Sequence, residues 1–87
     1  MSAERTDEEM VLRLIERSRL LVAISEEIPV ATKLQVQPLL KQLEELITTA
    51  QPDLDGIYAT HAQLERELAE SADLTALLGA MRTFLPS

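Results

Sequence analysis

Apolar residues recur along this chain at steps of three and four, the spacing that places side chains on one face of a helix. Leu54, Ile57, His61, Leu64 and Leu68 form the clearest stripe, and Val36, Leu39, Leu43, Leu46 and Ala50 repeat it upstream. A third stripe is broader. Met10, Leu14, Leu21, Ile24 and Ile28 share one line at about 100° per residue. Val11, Ile15 and Val22 widen it on one side and Leu20 on the other. The last set is Leu74, Leu77, Leu78, Met81, Phe84 and Leu85, ended by Pro86. Striped helices must bury their apolar faces against one another. The expected fold is all-α: a small antiparallel bundle of three main helices plus a short C-terminal helix.

Capping residues set the expected boundaries. Thr6-Asp7-Glu8-Glu9 has the form of a capping box, in which the Thr6 hydroxyl and the Glu9 carboxylate each accept from the other's backbone N–H. Residues 1–5 are expected to fray. Helix 1 is placed from Asp7 to about Glu27, where Pro29 stops it. Its breadth requires two partners, both within the chain or one from another chain. From Val30 to Gln37 the pattern is ambiguous. Thr32 offers a cap for a helix starting at Lys33, whereas Pro38 suits the first turn of a helix starting there. Helix 2 is therefore expected from Pro38 to Ala50.

The connector Gln51-Pro52-Asp53 is short enough to make helices 2 and 3 antiparallel neighbours. Asp53 offers a cap for helix 3, expected from Leu54 to about Glu70. Ser71-Ala72-Asp73 supplies caps for a new start, Asp73 foremost. Either the chain breaks there and a fourth helix folds back, or one long helix presents two faces to two partners; the break is the favoured expectation. No repeat or long linker divides the chain, so residues 1–87 are expected to form a single helical domain.

Composition narrows the functions. The chain is 46% hydrophobic but only 2% aromatic, which leaves aliphatic helix packing as the source of its core. It has no Cys and a single His, which excludes disulfides, thiolate metal sites and multi-histidine sites within one chain. No metal or cofactor is expected. In a chain of 87 residues, self-association or a protein partner remains as a source of extra stability. The net charge of −7 opposes binding to nucleic acid and to anionic lipid. The longest apolar run, Leu20 to Ile24, is too short to cross a bilayer. The first residues lack the basic-then-apolar form of a secretory signal, and the expected location is cytoplasmic.

Candidate chemistry is sparse. His61 has Glu65 one helical turn away, the spacing of a base and its orienting carboxylate, but its place in a stripe implies a core or helix-seam imidazole. The pairs Glu8-Glu9, Glu26-Glu27 and Glu44-Glu45 point about 100° apart on a helix, so none forms an acid–base dyad. Gly56 and Gly79 stand alone and make no phosphate loop. Arg13, Arg17 and Arg19 are the one basic cluster; Arg13 and Arg17 share a face one turn apart, with Glu9 and Glu16 close enough to pair with them.

Glu16-Arg17 followed by an apolar run resembles the middle of the first helix in the all-helical chorismate mutases. That resemblance implies a small enzyme with a dicarboxylate substrate held by several cations. The family places a lysine late in its first helix and an Arg/Glu-rich start to its second. Here those stretches read Ser25-Glu26-Glu27-Ile28 and Val36-Gln37-Pro38-Leu39-Leu40, so the likeness is one of architecture. Small helical-hairpin chaperones of bacterial secretion systems are similar at the same level.

The expected function is therefore that of a non-enzymatic protein–protein interaction module: a small adaptor, chaperone-like or inhibitory subunit acting through apolar helix faces. A self-assembling scaffold element is the alternative. The expected interface, with a partner or in a homodimer, draws on helix 1 and the C-terminal helix through Leu14, Leu21, Ile24, Leu77, Met81 and Phe84.

Overall fold

The computed structural model describes residues 3–85. It contains four helices, α1 (Ala3–Ile24), α2 (Val30–Thr48), α3 (Leu54–Glu67) and α4 (Ala72–Phe84), and no strand among those residues. Side-chain bonds pair residues symmetrically about each turn. Lys33 Nζ donates to the Ala23 carbonyl at 3.3 Å and Gln37 Nε2 to the Arg19 carbonyl at 3.2 Å. Gln42 Nε2 donates to Thr60 Oγ1 at 3.3 Å. Successive helices are therefore antiparallel. The ring closes where α4 packs on α1, the most extensive of the four seams; among the described residues the backbones of diagonal helices make no close approach, and the α3–α4 seam is the sparsest.

α1 starts at Ala3, one turn before the expected cap, so Thr6 lies inside the helix. Residues 3–5 are helical, while the fraying expected of Met1 and Ser2 and the stop expected at Pro86 lie outside the described residues. α1 ends at Ile24, earlier than expected. Ser25 helps to turn the chain, its Oγ accepting from the Glu27 N–H at 3.2 Å.

α2 departs furthest from expectation. It begins at Val30 and runs straight through Pro38. Pro29 occupies the N-cap position, and its carbonyl accepts from the Lys33 N–H at 3.0 Å. Thr32, the alternative cap for a helix starting at Lys33, lies inside the helix. Pro38 has no N–H to offer the Leu34 carbonyl one turn back. The helix is held regardless by Val36, Leu40, Leu43 and Ile47, all buried, because tertiary packing of an apolar face outweighs one lost main-chain bond.

α3 begins after Asp53 as expected, but the Asp53 side chain makes no cap bond; its carbonyl accepts from the Ile57 N–H at 2.9 Å, and the helix ends at Glu67. A break at residues 68–71 separates it from α4. The cap of α4 is Ser71, not Asp73: the Ser71 Oγ accepts from the Leu74 N–H at 3.4 Å. Ser71 directly precedes the first helical residue, where a side-chain oxygen reaches the orphan donors of the first turn.

One apolar core runs through the ring. α1 contributes Val11, Ile15 and Val22, with Ile28 from the following turn. α2 supplies its four buried residues, α3 and the turn after it supply Ile57, Leu64 and Leu68, and α4 with Leu85 supplies Leu74, Leu78 and Met81. The centre of the α1 stripe thus differs from the expected line by one residue, about 100° of helix rotation. Ser18 completes the buried line and explains the difference. It is fully buried, and its Oγ donates to the Leu14 carbonyl at 2.8 Å. A serine satisfied within its own helix fits in the core without reading as apolar.

Candidate interaction surface

Four large apolar side chains stand outside this core on one side of the molecule. Leu20 is 59% exposed, Ile24 72%, Val30 70% and Leu34 72%. Helix geometry requires this. Leu20 and Ile24 lie two residues either side of buried Val22, and Leu34 lies two residues before buried Val36, about 160° away from the core in each case. The bonds from Lys33 to Ala23 and from Gln37 to Arg19 hold the two helices side by side. Leu20–Ile24 and Val30–Leu34 therefore stand at the same level of the α1–α2 hairpin, all four turned away from the core.

The residues expected at an interface divide into three groups. Ile24 belongs to this outward face. Leu14, Leu21, Leu77 and Phe84 are half-buried and pack against the intramolecular core. Met81 is a correction: it is fully buried within the single chain, because it lies on the same line of α4 as Leu74 and Leu78, and it has no surface to offer. Val30 and Leu34 were missed by the periodicity because the expected second helix began after them. Their spacing of one turn, together with Leu34 opposite Val36, was the available signal.

The basic cluster is also arranged differently from expectation. Arg19 reaches across to α2, its Nη1 lying 3.6 Å from Glu44 Oε2. Both side chains are nearly half exposed, so this pair adds little stability. Arg13 and Arg17 are exposed on the outer side of α1, and no ion pair among the described residues engages them.

His61 lies between α3 and α4. Its ring is buried, with Nε2 2.8 Å from the Leu78 carbonyl oxygen and Nδ1 3.3 Å from Glu65 Oε1. A carbonyl can only accept, so Nε2 carries a proton and donates it. The neighbouring Thr75 Oγ1 donates to the Leu68 carbonyl at 3.4 Å. These two bonds link the sparsest seam of the bundle. Every buried side-chain polar atom among the described residues has a partner, as a stable interior requires.

The α1–α2 and α3–α4 turns meet at one end of the bundle and leave a groove of about 500 Å³ between them. Glu27, Glu67, Glu70 and Arg66 line it together with Ile28 and Leu68. All four charged residues are exposed, so the groove holds no desolvated group that would fix a small ligand. No group of three or more metal-ligating side chains occurs among the described residues, and no helix there is long and apolar enough to cross a membrane.

Comparison with known proteins finds no family model, no curated protein and no solved structure that matches this chain.

Proposed function

We propose that this protein is a non-enzymatic interaction module, an adaptor, chaperone-like or inhibitory subunit, that acts through an apolar helix face in a cytoplasmic setting. The observation that supports this reading is the outward face of Leu20, Ile24, Val30 and Leu34. Each helix already has a buried stripe that completes the core, so the fold has no use for four further large aliphatic residues on one side. Contiguous exposed apolar surface of this kind marks protein contact sites. The acidity of the chain weighs against nucleic acid or anionic lipid as the occupant.

The test is site-specific photo-crosslinking of the full chain in its native cells. A photoreactive residue at position 24 or 34 is expected to capture protein, and one at Gln63, exposed on α3, is not. Equal labelling at all three positions would remove the α1–α2 face as the working surface.

A further inference from the structure

We propose that the occupant of the α1–α2 face is a second copy of this chain, related to the first by a two-fold axis. The proposal rests on that face being the binding surface and adds the identity of its partner. Three features of the structure lead to it.

The first is area. The four exposed side chains present on the order of 400 Å² of apolar surface, the size at which a patch marks an association site. Two such patches supply roughly 800 Å², and a specific interface begins at about 1,000 Å² in total. The exposed side chains of Arg17, Pro38 and Lys41 beside the patch supply the remainder through their aliphatic portions.

The second is charge. Residues 1–48, through the end of α2, carry nine acidic and six basic side chains, whereas residues 49–87 carry six acidic and only two basic. Two copies meeting through α3 and α4 set six carboxylates a side against two cations, whereas the α1–α2 hairpin holds six of the eight basic side chains and can offer them to the partner's acids.

The third is self-complementarity, which a two-fold contact demands. Leu20 and Ile24 are one turn apart on the outer side of α1. An axis passing between them sets Leu20 against the partner's Ile24 and Ile24 against the partner's Leu20. The same operation carries Arg17 toward the partner's Glu27. Both are exposed, and neither has an ion pair among the described residues.

Sedimentation equilibrium of the full chain from micromolar to millimolar concentration is expected to give a dimer. Ile24→Glu and Leu34→Glu each weaken it at least about thirtyfold, the behaviour of central apolar contacts. Gln63→Glu adds the same charge on α3 and leaves the dimer unchanged. Circular dichroism of the three variants, with helix content equal to the parent's, separates association from folding. A parent that stays monomeric throughout, or a dimer that survives both glutamate substitutions, overturns the proposal. Photo-crosslinking at position 24 distinguishes that failure from failure of the wider reading. A monomer that captures a different protein there ends the homodimer alone, and a monomer that captures nothing ends both.

Discussion

The two hairpins of this bundle invert the usual rule in opposite ways. The α1–α2 hairpin carries large apolar residues outside, where the fold gains nothing from them. The α3–α4 hairpin carries a histidine inside, where a leucine would pack without needing partners. The two departures are unequal in cost. An exposed leucine is nearly neutral for stability, because it is solvated in the unfolded chain as well. A buried imidazole is tolerated because its Nε2 donates to the Leu78 carbonyl, while its Nδ1 faces the half-exposed Glu65 carboxylate at the edge of the seam. The N-terminal hairpin is thus free to vary its outer face, while the C-terminal hairpin is constrained at its seam.

The strongest test of that contrast is His61→Ala, expected to destabilise the fold by about 2–4 kcal/mol in urea unfolding, through the cavity and the lost bond together. His61→Leu restores an unbroken apolar stripe and is expected to cost less than about 1.5 kcal/mol. It should also leave partner binding intact. If both substitutions cost the same, the polar bond and not the volume holds the seam. If the leucine variant folds but binds nothing, His61 has a role beyond packing.

Pro38→Ala is expected to stabilise the chain by about 1–2 kcal/mol. It restores the N–H to the Leu34 carbonyl and removes a steric clash, offset in part by a freer unfolded chain. No change in the unfolding midpoint would mean that α2 already accommodates the proline without loss.

Gly79→Ala, in the middle of α4, is expected to add about 0.5–1 kcal/mol, since a Cβ there meets nothing within 4 Å. Gly56→Ala in the first turn of α3 should gain less. Its Cβ would stand 2.8 Å from Asp53 Oδ2, so the carboxylate must move. Equal gains at the two glycines would show that the Asp53 position is not held.

The smallest expected effect is that of Leu34→Ser on the isolated chain: under about 0.5 kcal/mol in dilute solution. A larger loss would mean that Leu34 contributes to the fold and that the two hairpins differ less than their exposure indicates.

These regions also differ in how far the sequence exposed them. The turn between α2 and α3, the break before α4 and the seam position of His61 follow from stripe spacing, whereas the caps do not: the Asp53 side chain makes no cap bond, and Ser71 takes the place expected of Asp73. The orientation of α1 does not, because Ser18 interrupts the buried line and Leu14 and Leu21 outweigh it in apolar bulk. Each is only half-buried, at the edge of the core, a distinction that one helix cannot reveal without its neighbours. The start of α2 was hidden by Pro38, whose local preference for a first turn was overridden by the core contacts of Val36 and Leu40. That single misplacement also concealed Val30 and Leu34, half of the outward face. Met81 was misassigned for the converse reason: near the end of an apolar segment, nothing in the pattern distinguishes a core residue from a surface one.

The closure of the ring by α1 and α4 has a consequence for folding kinetics. The helices that share the most contact are the two farthest apart along the chain, so the main seam cannot form until a loop spanning α2 and α3 has closed. The hairpins close over short separations and are expected to form early, leaving docking of the first helix onto the last as the slow step. The same arrangement works against partial unfolding. Detaching α4 would uncover the inner faces of both α1 and α3, so the chain is expected to lose its native state in a single cooperative transition.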